Sequence, residues 1–201
     1  MARRNDHSRD EIREMALKAA ETIVEREGAA GLSTRKIANE IGYTVGSLYL
    51  IFENLDDLIF HVNARTLDQL AFELDQATAR KNDPAAVLVE LGLTYLRFAA
   101  SHQGRWNLIF GRGSPTATAS PDWYRSHVLV LFDRVEKMLE RLAPPRNPNE
   151  VALAARALWG GVHGVCTLAL TDKLDIAGLS DAEKLTTSLI ENYLLGWMQQ
   201  N

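Results

Sequence analysis

The sequence predicts an all-α protein of about nine helices, with a three-helix N-terminal domain followed by a larger helical domain. Three observations carry that prediction. Apolar residues recur at three- and four-residue spacing along nearly the whole chain, and no segment alternates apolar and polar residues for long. No Asn-Gly or Asp-Gly pair marks a hairpin. Helix-start signals of the Ser-x-x-Glu, Asp-Pro, Ser-Pro and Asn-Pro kinds stand ahead of the apolar stripes.

The elements follow in order. Ser8 and Glu11 form a capping box, each side chain able to satisfy the other residue's free backbone N–H. Behind them Ile12, Met15, Ala16, Ala19, Ile23 and Val24 share one face, and Gly28 and Gly31 end the helix. Ser33 caps a short second helix, with Leu32 and Ile37 at the two positions of a hydrophobic staple. Ile37, Ala38 and Ile41 face inward, and Gly42 breaks this helix. Thr44 caps a third helix over 45–51, whose inner face is Leu48 with Ile51 or Phe52. Asn54 caps a fourth, with Asp56 and Asp57 at its positive N-terminal end and Leu58, Val62, Leu67, Leu70 and Leu74 as its stripe. Asp83-Pro84 opens 84–102, Pro being tolerated in a first turn because its missing N–H has no partner there anyway. Gly104 interrupts, a short helix spans 105–110, and 111–120 is a loop. Ser120-Pro121 opens 121–142, Asn147-Pro148 opens 148–173, and a Ser180–Glu183 capping box opens 181–199.

Composition narrows the class. With 46% hydrophobic residues in 201, the chain has enough apolar surface to offset its ordering entropy. A single Cys excludes an internal disulfide framework and a Cys-based zinc site. The longest uncharged apolar stretch, Ala157 to Thr171, falls short of the ~20 residues of a membrane span, so a buried helix is expected there. The start MARRNDHSRDEIRE has no apolar stretch behind its Arg pair, which argues against a secretory signal and for a cytoplasmic protein. The histidines His7, His61, His102, His127 and His163 show no i, i+4 ligand pairing, so no metal is expected. No nucleophile–base pairing, phosphate-cradling Gly loop or metal motif points to an enzyme, and no cofactor is expected.

The segment Ser33 to Phe52, STRKIANEIGYTVGSLYLIF, carries the functional signal. Two short helices joined by a Gly-containing turn, braced by a preceding helix, describe a helix-turn-helix. Its second helix must be thin-surfaced to enter a major groove, and Gly46 with Ser47 supplies that surface. The charge is unusual for such a domain. Net charge is −4, and residues 1–52 carry eight basic and eight acidic side chains, so DNA binding must come from placed residues rather than bulk charge.

Thr34, Ile37, Ala38, Gly42, Gly46, Leu48, Tyr49 and Phe52 stand in a pattern that resembles the TetR family of transcriptional regulators. Farther on, Phe98-Ala99-x-x-His102 with Trp106 and Phe110-Gly111, and Trp159-Gly160-Gly161-Val162-His163-Gly164, resemble the subgroup labelled WHG. The resemblance implies a DNA-binding domain over 1–54 and an effector-binding and dimerisation domain over 55–201. It implies a homodimeric repressor released from a palindromic double-stranded DNA operator by a small, largely apolar effector. Ser33 and Thr34 match helix-start positions that touch phosphate, and Arg35 matches a position that reaches a base edge or phosphate. Tyr43, Thr44, Val45, Gly46 and Ser47 match the variable recognition surface, and Tyr49 matches a phosphate-bonding Tyr. Arg3 and Arg4 lie on an extension able to reach phosphates or a minor groove. One position departs: Leu55 stands where the family usually has a phosphate-contacting Lys. That gap, with no Lys or Arg in the third helix, keeps open a protein-interaction adaptor with a weakened DNA-binding head.

Tyr95, Phe98, Trp106, Phe110, Trp123 and Trp159 each suit plain core. As a group they fall where the resemblance implies a ligand cavity, with His127 and His163 as polar anchors. Three glycines in one helix, Gly160, Gly161 and Gly164, cost about 1 kcal/mol each relative to Ala, so a close neighbour should compensate. The sequence leaves open whether that neighbour lies within the chain or across a dimer. The resemblance implies dimerisation through the last two helices, with Ile190, Tyr193, Leu194 and Trp197 as anchors.

Overall fold

The computed structural model describes residues 7–111, 120–142, 146–178 and 181–199, and among them there are nine α-helices and no strand. The α-helices are α1 (Arg9–Glu27), α2 (Thr34–Glu40), α3 (Val45–Tyr49), α4 (Leu55–Thr78) and α5 (Pro84–Ser101). They continue with α6 (Gln103–Phe110), α7 (Asp122–Leu142), α8 (Pro148–Leu170) and α9 (Ala182–Gln199). The chain divides into two compact units, Met1–Thr66 with His102–Tyr124, and Leu67–Ser101 with Arg125–Asn201.

In the first unit α1 is the brace. The Ser8–Glu11 capping box forms as expected, and Ile12, Ala16, Leu17, Ala19, Ala20, Ile23 and Val24 are buried. From Ala16 onward they pack with Ile37 and Ala38 of α2, Leu48 of α3, Phe52, the α4 residues Leu58, Ile59 and Val62, and Leu108 of α6. Asn54 caps α4: its side-chain oxygen accepts from Asp57 N–H at 2.9 Å, while the Asp57 carboxylate accepts from Glu53 N–H at 3.0 Å.

Helix α6 corrects the expectation at Gly104, which lies inside the first turn of α6 rather than before it. The chain breaks instead at His102, whose φ −125 and ψ 43 are not helical. Gly104 is where α6 meets α1. A Cβ there would run into the Val24 carbonyl oxygen and lie 2.8 Å from Glu25 Cα. The Glu25 carboxylate then accepts from Gly104 N–H at 3.1 Å and from Arg105 Nε–H at 2.8 Å.

In the second unit α5, α8 and α9 pack around Gly92, where a Cβ would meet Ile190, Thr186 and Val162. Helices α4 and α7 are joined by longer side chains. His127 Nδ1 lies 2.6 Å from the Asp68 carboxylate, Arg134 grips Asp75 with bonds of 2.7 and 2.6 Å, and Arg141 donates to Asn82 O at 2.9 Å. The first two rungs each join residues 59 apart on α4 and α7, so the two helices run parallel, and Arg141 continues the same register to Asn82 beyond the end of α4.

Helix α8 is, among the described helices, the one long and apolar enough to cross a membrane by length and composition. Its apolar stripe is spent on the core: Val151, Ala154, Ala155, Leu158, Val162, Val165 and Cys166 are buried, and Arg156 in its middle is ion-paired to Glu136. The helix stops at Leu170, three residues before the expected end, because Asp172 turns left-handed with φ 51 and Lys173 N–H bonds back to Leu168 O at 2.9 Å. Ser180 of the expected capping box lies outside the described residues. Asp181 does the capping, its carboxylate accepting from Lys184 N–H at 2.9 Å, while Glu183 reaches Arg97 of α5.

Ile190, Leu194 and Trp197 correct a second expectation. They are buried within the chain, Trp197 donating its indole N–H to Leu139 O at 3.2 Å, and Tyr193 donates to Ala154 O at 3.3 Å. The apolar stripe of α9 is therefore the one that holds it to its own chain. Its outer face is instead Leu195, Gly196 and Met198.

Candidate nucleic-acid interface

Local backbone chemistry builds the helix-turn-helix. Ser33 is extended, with φ −155 and ψ 150, and its hydroxyl accepts from Lys36 N–H at 3.3 Å to start α2. At the other end Gly42 takes φ 74, a left-handed conformation that glycine adopts without a Cβ penalty. Tyr43 N–H bonds Ala38 O at 2.9 Å and Gly42 N–H bonds Asn39 O at 3.2 Å, the paired bonds of a Schellman stop. Two residues later Thr44 caps α3, its hydroxyl accepting from Ser47 N–H at 3.2 Å. A helix stop and a helix start thus share a turn of Gly42 to Thr44.

The inner residues Ile37, Ala38, Leu48 and Phe52 are fully enclosed, which fixes the orientation of both short helices on α1. The opposite side is open. Ser33, Arg35, Thr44 and Gly46 are exposed, Thr34, Tyr43, Val45 and Ser47 are half-buried, and Tyr49 is 53% exposed. All of the DNA-facing candidates from Ser33 to Tyr49 therefore carry outward surface. Arg3 and Arg4 lie outside the described residues. A Cβ on Gly46 would meet only Thr44 Oγ1, at an ordinary 3.7 Å, so packing within the chain does not require a glycine there. What the missing side chain leaves is a bare outer surface on α3.

Leu50 was not among the expected site residues, yet it is 68% exposed beside Tyr49 at the end of α3. The signal was an apolar residue standing off the Leu48–Phe52 stripe. His7 was also missed. Its ring nitrogen Nδ1 lies 2.8 Å from the Tyr43 hydroxyl, across a sequence separation that no local pattern reveals.

The electrostatics leave two exposed cations, Arg9 and Arg35, of which Arg35 lies on α2. Of the described cations in residues 7–66, Lys18 pairs with Glu14, Arg26 and Lys36 with Glu27, and Arg65 with Glu14 and Glu21. The Lys36 and Arg26 hydrogen bonds hold the Glu27 carboxyl below its ordinary range. Arg13 bonds His61 and lies over the Phe52 ring at 5.5 Å. Arg9 and Arg35 remain exposed with no ion pair among the described residues. Leu55 packs against the core of the unit, so its side chain is structural where a cation would have reached outward.

The eight effector candidates separate. In the second unit Trp159 donates its indole N–H to Tyr95 Oη at 3.1 Å, Tyr95 Oη lies 2.9 Å from His163 Nδ1, and the Trp159 and His163 rings stack at 5.1 Å. Burial pushes the Tyr95 phenol well up and pulls the His163 imidazole down. Phe98 is sealed in the core and His127 is engaged by Asp68. Trp106 and Phe110 pack on each other in the first unit, at 4.6 Å between ring centres, and Trp123 stacks on His61 there at 4.4 Å. A cleft of about 330 Å³ opens in the second unit, floored by Val87, Leu91, Val130 and Met138 and rimmed by the Asp75–Arg134 and Asp133–Lys137 pairs. None of the eight candidates lines it. Among the described residues no group of three His, Cys, Asp or Glu is arranged to hold a metal ion.

Comparison with known proteins agrees with this geometry. The chain is 26% identical over 167 residues to the HTH-type transcriptional regulator Rv0681 of Mycobacterium tuberculosis, covering 81% of this chain and 72% of that one. A solved protein of unknown function from Rhodococcus sp. RHA1 superposes with a TM-score of 0.76 at 21% identity, over 99% of this chain and 100% of that one. The regulator FadR from Bacillus subtilis, solved with stearoyl-CoA, superposes with a TM-score of 0.66 at 15% identity, over 91% and 98%. The family model for bacterial regulatory proteins of the tetR family matches residues 16–62, which hold α2, α3 and the turn between them. The model for the tetracyclin repressor-like C-terminal domain matches residues 88–193, which span α5 to most of α9 and more than half of the chain. A helix-turn-helix of that geometry followed by that C-terminal domain makes this protein a member of the TetR family of DNA-binding transcriptional regulators.

Proposed function

We propose that the protein is a homodimeric repressor that leaves a palindromic operator when a small, largely apolar effector binds. Residues 1–54 would contact DNA and residues 55–201 would hold the effector and the second copy. The observation that carries the reading is the outward face of α2 and α3, where Arg35, exposed and without an ion pair among the described residues, and a bare Gly46 stand on an inwardly packed scaffold. Arg35 reads a base edge, Ser33, Thr34 and Tyr49 hold phosphates, and Tyr43 to Ser47 form the recognition surface. Two such faces enter successive major grooves about 34–36 Å apart. Arg3 and Arg4 add backbone contacts. The protein acts where its DNA is, in the cytoplasm.

Dimerisation is supported by the outer face of α8 and α9. Leu153 is 71% exposed, Leu168, Leu195 and Met198 are exposed too, and Gly160, Gly164 and Gly196 face open space. A surface of small and apolar residues on two neighbouring helices suits close approach of a second copy. Effector binding is supported by the second-unit cleft with its apolar Val87, Leu91, Val130 and Met138, and the Tyr95–Trp159–His163 group lies outside that cleft. The FadR structure, solved with stearoyl-CoA, shows that a protein of this fold takes a ligand with a long apolar chain. For release, the effector must bind the DNA-free arrangement more tightly than the DNA-bound one.

Fluorescence anisotropy against duplexes tiling the DNA beside the protein's own gene tests the reading, with random duplex alongside at two salt concentrations. Selective binding by a dimer is expected. No binding of any duplex at either salt concentration overturns it in favour of a protein-interaction adaptor.

A further inference from the structure

Tyr43 opens the surface that faces DNA, and its hydroxyl is already engaged. His7 Nδ1 lies 2.8 Å from Tyr43 Oη, and the two rings meet edge to face with centres 6.1 Å apart. Each partner is fixed by its own backbone. His7 immediately precedes Ser8, whose capping box sets the start of α1. Tyr43 immediately follows the left-handed Gly42, and its N–H is bonded to Ala38 O. The bond therefore clasps the start of the brace helix to the turn between α2 and α3.

We propose that His7 is a positioning residue for operator recognition: by holding the Tyr43 phenol it presets the recognition turn before DNA arrives. The proposal rests on the reading of α2 and α3 as the DNA-binding face. A phenol at a turn that enters a groove loses rotamer freedom on binding, and a side chain ordered beforehand has already lost it. Stability gives little reason for the clasp. His7 is exposed and lies outside the hydrophobic core, and the α1 cap is complete without it. The clasp also assigns the Tyr43 hydroxyl to His7, leaving the ring edge and the backbone of the turn to meet the DNA.

A double-mutant cycle on the full chain tests this. A duplex enriched by the wild-type protein from a random-sequence pool serves as the selective probe, with its scrambled version as control. His7→Ala and Tyr43→Phe are each expected to weaken binding to the selected duplex by about three- to tenfold, the range of one net hydrogen bond. The double variant should lose no more than either single variant, and the thermal unfolding midpoint should fall by no more than about 2–4 °C, the worth of one net hydrogen bond in the free chain. His7→Asn, whose amide sits about where Nδ1 does, should restore most of the affinity. Additive losses would mean that the Tyr43 hydroxyl contacts DNA itself, and the clasp is then wrong. Equal losses on both duplexes, or no loss, also overturn it. A wild-type chain that enriches no duplex sinks the reading of the face and the proposal together, whereas a selective wild type with additive variants sinks the proposal alone.

Discussion

At the scale of single residues, the interface separates what the fold needs from what DNA needs. Gly46 illustrates it: nothing among the described residues crowds a Cβ there, and glycine inside a helix costs about 1 kcal/mol against alanine. Gly46→Ala should therefore raise thermal stability slightly while weakening operator binding, and a variant that binds DNA as well as wild type would remove α3 from the groove. Arg35 is exposed and unpaired among the described residues, so Arg35→Ala should leave folding intact and cost about 1–3 kcal/mol on the specific duplex. Equal losses on specific and random duplexes, measured by anisotropy, would reassign Arg35 to the phosphate backbone. Leu55 is the converse case, an apolar residue packed on the core at the first position of α4. A lysine can lay its methylene stem along that surface and keep its ammonium in water. Leu55→Lys should strengthen binding to every duplex and steepen the log–log salt dependence by about 0.9. An unchanged salt slope would place residue 55 away from the phosphates.

At the scale of elements, local chemistry was readable in advance and long-range packing was not. Ser8, Ser33, Thr44, Asn54 and Asn147 were all legible as caps because a cap joins a side chain to a backbone N–H two or three residues on. The apolar stripes of α1 and α4 were legible for the same reason. Gly104 was misread as a helix breaker because its role is set by α1, some eighty residues away, whose backbone fills the place of its Cβ. Ile190, Leu194 and Trp197 were misread as dimer anchors because periodicity shows that a face is buried and not which neighbour buries it. The helix-turn-helix was legible through its caps, glycines and apolar spacing, whereas the His7–Tyr43 bond and the scattering of the aromatic candidates over two units were not. The Tyr95–His163 pair between α5 and α8 gives a prediction at this scale. Burial lowers the His163 pKa, so the unfolded chain binds that proton more readily than the folded one. The stabilising contribution is fully present above the ordinary imidazole value of about 6.5 and is lost as pH falls below it toward the lowered folded value. Urea midpoints should decline over that window, and His163→Gln should flatten the decline. A His163→Gln profile that matches wild type would show that other groups control the acid limb.

At the scale of the whole molecule, the three glycines of α8 divide between two tasks. Gly161 faces its own chain, where a Cβ would lie 2.8 Å from Leu189 Cδ2. Gly160 and Gly164 face open space, so no neighbour among the described residues accounts for their helix-weakening cost. A second copy seated on Gly160, Gly164 and the exposed Leu153 and Leu168 would account for it, because glycine lets two helix backbones approach closely. Gly164→Arg separates the possibilities. Arginine is a good helix former and has room in the isolated chain, so the monomer should fold with equal or higher stability. Against a second copy the same side chain overlaps the partner and buries a charge with no counter-ion. Sedimentation equilibrium is then expected to report a dimeric wild type and a monomeric Gly164→Arg chain. Operator affinity should fall steeply, since one helix-turn-helix grips only half of a palindromic site. A Gly164→Arg chain that still dimerises with wild-type affinity would move the interface to another face. The glycines would then be left as a cost the fold carries without return.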